Sequence, residues 1–243
     1  MILRLVIFFK ACLLAFLIAR GPLWAATVTG QVQLTNSSDS EVKKKGDFSG
    51  VVVWMMPLDD VPVHVARKHV QMVQKDKRFT PHVLVVSAGT SVDFPNLDPI
   101  FHNAFSNFEG QIFDIGLYPP GSSRSVRFDR PGIVRVFCNI HPSMSAIIVV
   151  VDSPYFTTTD EDGNFSIPNV QPGAYELHFF HERATPETLD RLVQRISVEQ
   201  PMADLGNINI SETGYLPVAH KNKYGRDYPP NADEQRTYSV PFK

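Results

Sequence analysis

The sequence predicts an all-β protein. Most of the 243-residue chain reads as short runs of alternating or β-branched residues, interrupted by Gly, Pro, Asp or Asn about every ten residues. Helical periodicity is scarce, and the one helix we predict is PETLDRLVQRI, residues 186–196. Short strands with frequent turn signals are typical of β-sandwiches and barrels. The predicted strands are TVTGQVQL, GVVVWMM, HVLVVSAG, SVDF, SRSVRF, IVRVFC, AIIVVV, NFSI and AYELHFF.

The first 26 residues have the layout of a secretory signal. Arg4 and Lys10 accompany a short apolar run, and the small residues Ala25 and Ala26 follow it. Lys10 interrupts the run, which is too short for a membrane span of about 20 residues. We therefore expect residues 1–26 to be cleaved, a periplasmic or secreted location, and no membrane span in the mature form. An uncleaved anchor is the alternative.

Charge and cysteine content narrow the function classes. The formal net charge is −2, and removal of residues 1–26 takes away three basic residues and no acidic one, which leaves −5. An acidic chain without a basic stripe argues against nucleic acid as a partner. Cleavage would also remove Cys12 and leave Cys138 as the sole cysteine, so no intramolecular disulfide is expected. The sulfur of Cys138 is then an inert buried thiol, a nucleophile, an intermolecular bridge or a metal ligand.

The segment VFCNIHPSM, residues 136–144, offers three metal-ligand types at regular spacing. Cys138, His141 and Met144 follow one another at intervals of three residues, directly after the predicted strand IVRVFC. A type 1 copper site uses two imidazoles, a thiolate and a weak axial thioether, a donor set that supports one-electron chemistry. The missing imidazole must come from another loop, and NLDPIFHNAFS supplies His102 after the strand SVDF.

Each of these residues has a simpler interpretation when it is taken alone. A Cys in a β core is commonly a small inert hydrophobe, a His is commonly structural, and a Met commonly fills space. Their order, spacing and loop placement together favour copper. Zinc matches less well because a thioether is a poor zinc ligand. A binuclear copper centre would need a second cysteine, and nothing marks the orienting residue and oxyanion hole of a Cys–His hydrolase. We therefore expect a protein that is not an enzyme.

A longer stretch resembles a known family. FTPHVLVVSAGTSVDFPNLDPIFHN followed by RFDRPGIVRVFCNIHPSM resembles the cupredoxin (type 1 blue copper) family over roughly residues 78–152. The Cys-x-x-His-x-x-Met spacing is that of amicyanin-like members, whereas plastocyanin-like members have a longer loop. The resemblance implies a Greek-key β-sandwich that binds one type 1 copper through His102, Cys138, His141 and Met144.

The resemblance also implies roles around the copper. Asn103 occupies the position whose backbone N–H bonds to the thiolate and whose side chain ties the two ligand loops together. His141, flanked by Ile140 and Pro142, would reach the surface in an apolar patch and act as the electron gate. The implied function is one-electron transfer to and from a redox partner protein that docks briefly, with the chain a monomer. The alternatives are a periplasmic copper-handling protein, or a carbohydrate- or protein-binding module with a structural copper site.

A second resemblance concerns residues 157–182, TTTDEDGNFSIPNVQPGAYELHFFHE. They resemble the carboxypeptidase regulatory-like (transthyretin-like) β-sandwich, whose preceding strands would here be VTGQVQL and GVVVWMMP near the N-terminus. This predicts a discontinuous domain, residues 27–64 and 153–210, interrupted by a cupredoxin domain at residues 65–152. Residues 211–243 are predicted to be an extended C-terminal tail. The alternative is that the N-terminal strands extend the cupredoxin sheet.

Other polar features receive no functional role. Residues 36–47 are predicted to be an exposed loop, and DEDG at 160–163 a hairpin turn rather than a calcium site. His178 and His181 form a weak metal pair, since positions three apart on a strand face opposite sides. The histidines left unassigned are His64, His69, His82 and His220.

Overall fold

The structure is a computed structural model that describes residues 25–59, 69–107, 110–199, 201–215, 220–230 and 232. The chain is nearly all β, as the sequence predicts. The predicted signal segment lies outside the described residues except for Ala25 and Ala26.

In chain order the elements are β1 (Ala26–Thr35), α1 (Ser40–Lys45), β2 (Val52–Pro57), β3 (His69–Gln71), β4 (Val73–Lys75), β5 (Arg78–Thr80), β6 (Val83–Ser87), β7 (Thr90–Pro95), β8 (Phe105–Ser106), β9 (Phe113–Asp114), β10 (Ser123–Phe128), β11 (Gly132–Phe137), β12 (Ser145–Val151), β13 (Phe156–Thr158), β14 (Asn164–Val170), β15 (Gly173–Phe180), α2 (Pro186–Asp190), β16 (Gln194–Val198) and β17 (Met202–Ser211).

The strands from the two ends of the described chain form one β-sandwich, which we call the flanking sandwich. One sheet has the order β14-β1-β17 and the other β13-β2-β15-β16. β1 runs antiparallel to β14 and parallel to β17, and β2 runs antiparallel to both β13 and β15. Alternate side chains of both sheets meet in one core, which includes Val32, Met55, Phe165, Tyr175 and Leu177.

The strands between β2 and β13 form a second β-sandwich, which we call the central sandwich. Its sheets have the orders β10-β7-β3 and β6-β12-β11-β8-β9, and the hairpin β4-β5 adjoins them. Phe94, Tyr118, Phe128 and Ile148 lie in its core with no measurable exposure. These pairings are what an insertion of the central strands into the flanking sandwich would produce. The predicted domain boundaries, at residues 64/65 and 152/153, stay a prediction.

β12 lies between the two sandwiches. Its side chains at 146, 148 and 150 point into the core of the central sandwich. Those at 147, 149 and 151 pack against Val52 and Phe180 of the flanking sandwich. Because both faces of β12 are buried, the strand reads as the unbroken apolar run AIIVVV rather than as an alternating pattern.

Two local predictions are wrong. The helix predicted over residues 186–196 ends at Asp190, because Gln194–Val198 instead forms β16 and pairs with β15 as an edge strand. Residues 36–47 are not simply a loop, because they contain α1. The Asp39 side chain accepts hydrogen bonds from the first turn of α1, and Gly46 ends the helix in a left-handed conformation with φ of 67°.

Candidate metal centre

Cys138 lies at the end of β11, where the hairpin to β12 begins. Phe137 pairs with Ser145 across this hairpin, so residues 138–144 form the connecting loop, which we call the ligand loop. Two backbone hydrogen bonds close it. The Cys138 N–H donates to the Met144 carbonyl (3.1 Å), and the Met144 N–H donates to the His141 carbonyl (3.1 Å). The ligand loop is therefore a compact turn that folds His141 back towards Cys138.

His102 lies in a second loop, between β7 and β8. Phe105 of β8 pairs with Phe137 of β11, which brings this loop beside the ligand loop. The backbone of His102 also exchanges two hydrogen bonds with that of Tyr118, at 3.2 and 2.9 Å. The pairing of Phe105 with Phe137 and that of His102 with Tyr118 together fix the position of His102 relative to the end of β11.

His102, Cys138 and His141 form a buried triad. Cys138 Sγ lies 3.9 Å from His102 Nδ1 and 3.7 Å from His141 Nδ1, and all three ligand atoms lie within 4.8 Å of one another. All three side chains have zero exposure. Ligation at about 2.0 Å from nitrogen and 2.3 Å from sulfur, with angles of 110–120°, places the nitrogen and sulfur about 3.5–3.7 Å apart, close to the observed separations. The separations therefore fit a single metal ion held by the three residues.

The chemistry of the donors suits copper. A thiolate favours Cu(I), and imidazole binds both oxidation states, so the three donors fit a copper ion better than they fit a hard cation. Met144, the predicted axial ligand, is also fully buried and belongs to the same core cluster as Cys138. Its ligation stays a prediction.

Asp98 sets the tautomer of His102. His102 Nε2 lies 2.7 Å from Asp98 Oδ2, so Nε2 donates and the lone pair of Nδ1 faces the triad. Burial lowers the pKa of His102 because it disfavours the imidazolium, and Asp98 opposes this effect without cancelling it. The ring is therefore neutral near pH 7 and can bind a metal through Nδ1.

Asp98 is held by the turn between β4 and β5. The Asp76 N–H donates to Oδ1 (2.7 Å) and the Lys77 N–H donates to Oδ2 (2.9 Å). Burial raises the pKa of Asp98, but the hydrogen bonds from Lys77, His102 and Asp76 outweigh burial and the pKa is lowered. Asp98 is thus an ionised, buried carboxylate fixed against a candidate ligand, a role that was not predicted from the sequence.

Asn103 joins the two loops. Its side-chain oxygen accepts from the Asn139 N–H in the ligand loop (3.3 Å), and its side-chain nitrogen donates to Asp114 Oδ1 in β9 (2.8 Å). Asn103 itself has zero exposure. A tie between the loops is the role that the family resemblance implies for this side chain. The implied bond from the Asn103 N–H to the thiolate stays a prediction.

Residues 220–230, which we call the C-terminal segment, lie over the ligand loop. The His220 ring stacks on Phe137 with a centroid distance of 4.0 Å, and the Tyr228 hydroxyl donates to the Cys138 carbonyl. The sequence resemblance implies that His141 reaches the surface, but its side chain has zero exposure, and Ile140 and Pro142 beside it are partly buried. The structure therefore departs from the expected exposed imidazole, and the electron-gate role stays a prediction.

Four histidines outside the triad face carboxylates. None of the four belongs to a cluster of three or more metal-ligating groups within the part of the chain that the structure describes. The pairs are His69–Asp93 (3.5 Å), His82–Glu182 (2.8 Å), His178–Glu176 (3.0 Å) and His181–Glu212 (3.0 Å).

Among the described residues, no helix has the length and apolar character that a membrane span requires.

Comparison with protein families gives one match in the flanking sandwich. The sequence model of "Polysaccharide lyase family 4, domain II" matches residues 150–199. That family differs from the carboxypeptidase regulatory-like one, whose resemblance stays a prediction. The curated proteins contain no match to the chain.

Among solved structures, similar chains include three copper proteins. The purple cupredoxin of Nitrosopumilus maritimus is 21% identical over 34% of this chain and 99% of its own, with a TM-score of 0.32. Amicyanin of Paracoccus versutus is 18% identical over 40% of this chain and 97% of its own, with a TM-score of 0.31. The Cu-containing nitrite reductase of Thermus scotoductus is 27% identical over 40% of this chain and 25% of its own, with a TM-score of 0.32.

Proposed function

We propose that this chain is an exported type 1 copper protein that carries single electrons between redox partner proteins. The observation that supports the proposal most strongly is the buried triad of His102, Cys138 and His141, whose nitrogen–sulfur separations fit one metal ion. A copper ion bound there would supply one-electron chemistry by alternating between Cu(II) and Cu(I). Met144 is proposed as the weak axial ligand.

The contribution of the protein is to hold the donors in one arrangement. Cys138 binds as a thiolate, and His102 and His141 bind as neutral imidazoles through Nδ1. Asp98 fixes the ring of His102, and the backbone bonds of the ligand loop fix His141. Since the donors lie in a close-packed core, the protein resists any rearrangement between the two oxidation states and keeps water away from the sulfur.

Burial of the donors favours electron transfer over copper delivery. A protein that hands copper to a partner must let an incoming ligand approach the metal, whereas all three triad side chains have zero exposure. Electron transfer needs no such approach. Copper handling is the second candidate, and the experiment below separates the two.

The arrangement of the chain is also a proposal. We propose that residues 65–152 form a copper domain inserted into a sandwich made of residues 27–64 and 153–210, a view supported by the strand pairings of β1 and β2. The layout of residues 1–26 supports a periplasmic or secreted location, and the chain is proposed to act as a monomer.

The decisive experiment is the absorption and electron paramagnetic resonance spectra of the protein loaded with one equivalent of Cu(II). We expect an intense thiolate-to-Cu(II) charge-transfer band in the visible region, which Cys138→Ser abolishes. Ala104→Ser is the matched control, because it adds a hydroxyl to the same buried core cluster without removing a donor. Ala104→Ser should keep the band.

Two outcomes would contradict or change the proposal, and a third would support it. A colourless protein that binds one zinc and no copper would remove the copper site. A coloured protein that loses its copper rapidly and reversibly to a chelator would support copper handling. Retention of copper through repeated one-electron reduction and oxidation would support the carrier function.

A further inference from the structure

Three described hydrogen bonds join the C-terminal segment to the ligand loop, and in each of them the segment is the donor. The Tyr228 hydroxyl donates to the Cys138 carbonyl (2.8 Å), and His220 Nε2 donates to the Pro142 carbonyl (2.7 Å). The Lys223 N–H donates to the side-chain oxygen of Asn139 (3.0 Å). The loop thus presents three acceptors on its outer side, and the segment supplies a donor to each.

The aromatic side chains of the segment form a small stack over this surface. His220 stacks on Phe137 at an interplanar angle of 24°, and Tyr228 meets the edge of His220 at a centroid distance of 5.3 Å. A carbonyl oxygen can only accept, so the Tyr228 proton points to Cys138 and the Nε2 proton of His220 points to Pro142. The contacts of Tyr228 and His220 with the ligand loop therefore depend on the orientation of their donor groups as well as on the packing of their rings.

Lys223 connects the segment to both loops of the triad. Its amine lies 2.7 Å from Asp114 Oδ2, and Asp114 in turn accepts from Asn103. Burial raises the pKa of Asp114, but hydrogen bonds led by that from Lys223 lower it overall. Since Asn103 bonds to Asn139 and Asn139 bonds to Lys223, the contacts form a closed ring around the side of the triad.

We propose that the C-terminal segment is a component of the metal centre, in which Tyr228 and His220 are positioning residues that hold the ligand loop in place and close it to solvent. The metal role of this closure rests on the proposed function. The closure itself is a property of the polypeptide and can be measured without metal.

The test is the reactivity of the Cys138 thiol in the metal-free full-length chain carrying Cys12→Ser, with dithiodipyridine as the probe. The thiol reacts only when the loop opens, so its rate reports the opening equilibrium. Tyr228→Phe removes the hydrogen bond to the Cys138 carbonyl together with the longer contact to His220 Nδ1 (3.3 Å), and it should raise the rate at least about fivefold, the effect of one typical net hydrogen bond. Tyr224→Phe is the matched control, because Tyr224 lies on the same segment with 70% exposure and should leave the rate unchanged.

A second variant separates positioning from general stability. His220→Phe keeps an aromatic ring over Phe137 but loses the bond to Pro142, and it should also speed the thiol reaction while the global unfolding midpoint stays near that of the control. Equal rates for Tyr228→Phe, His220→Phe and Tyr224→Phe would overturn the inference.

Copper loading of the same variants keeps the two proposals distinct. If the parent chain binds no copper, the proposed function fails, whereas the thiol rates still decide whether the segment closes the loop. If the parent binds copper, Tyr228→Phe should release it to a chelator faster than Tyr224→Phe does. Identical release rates would remove the segment from the metal centre.

Discussion

Replacement of Asp98 by Ala tests whether a residue outside the triad fixes the orientation of the His102 ring. The change removes the acceptor for three donors, namely His102 Nε2 and the N–H groups of Asp76 and Lys77. His102 would then be free to rotate and to change tautomer, and Nδ1 would lose its fixed direction. We expect the affinity for Cu(II) to fall about 10–100-fold, the usual effect of losing a partner that orients a ligand.

The same change should lower stability in the absence of metal. Hydrogen bonds to a charged group each contribute about 1.5–3 kcal/mol, but removal of Asp98 also relieves the cost of burying its charge. The net loss in the free energy of unfolding should therefore be about 2–4 kcal/mol. Asp98→Asn retains one acceptor atom for His102 and should be milder. It should also raise the reduction potential, because the negative charge that it removes stabilises Cu(II) relative to Cu(I).

Affinity is measured by competition with a chelator of known strength, and stability by denaturant unfolding of the metal-free protein. Asp93→Ala is the matched control, because Asp93 also lies beside a histidine, and the described partners of its carboxylate are His69 and Ser125 rather than any residue of the triad. If Asp98→Ala and Asp93→Ala bind Cu(II) equally well, Asp98 does not position His102 and the reasoning is refuted.

Three further predictions address pH, a turn and the axial ligand. The hydrogen bond that His82 donates to the Glu182 carboxylate raises the pKa of His82 above 6.5, so its stabilisation is complete below that pH and is lost as the pH rises through the folded pKa. His82→Gln should therefore lower Tm more at about pH 5.5 than at about pH 8.5, and equal decreases would contradict this. Gly163 has φ of 79° and its added Cβ would lie 2.0 Å from the Val32 carbonyl oxygen. Gly163→Ala should lower the free energy of unfolding by more than about 1 kcal/mol without altering the copper spectrum, and an unchanged denaturation midpoint would refute it. Met144→Leu conserves volume and should cost less than about 1.5 kcal/mol while shifting the spectrum and the reduction potential, and identical spectra would remove Met144 from the ligand set.

The triad could be predicted from sequence because its chemistry is concentrated in two short motifs. Cys138 and His141 lie in one loop, and a predicted strand end leads to each of the two loops. The all-β class followed from residue alternation and turn signals. In both cases the prediction depends on residues that are close together in the sequence, or on a combination of residue types that few other kinds of site contain.

The supports around the triad could not be predicted in the same way. Asp98 receives no role from the sequence, although it lies only four residues before His102. Tyr228 contacts Cys138 across 90 residues of sequence, and no pattern in the C-terminal segment indicates that contact. The helix predicted over 186–196 was wrong in its second half because pairing with β15 overrides a weak helical periodicity.

Alternate side chains of β12 belong to two different hydrophobic cores. Residues 146, 148 and 150 face the core beneath the triad, and residues 147, 149 and 151 face the flanking sandwich. Insertion or deletion of one residue within this strand would exchange the two sets and disturb both cores at once. Substitutions at even positions should therefore first disturb the triad, and substitutions at odd positions should first weaken the packing between the two sandwiches.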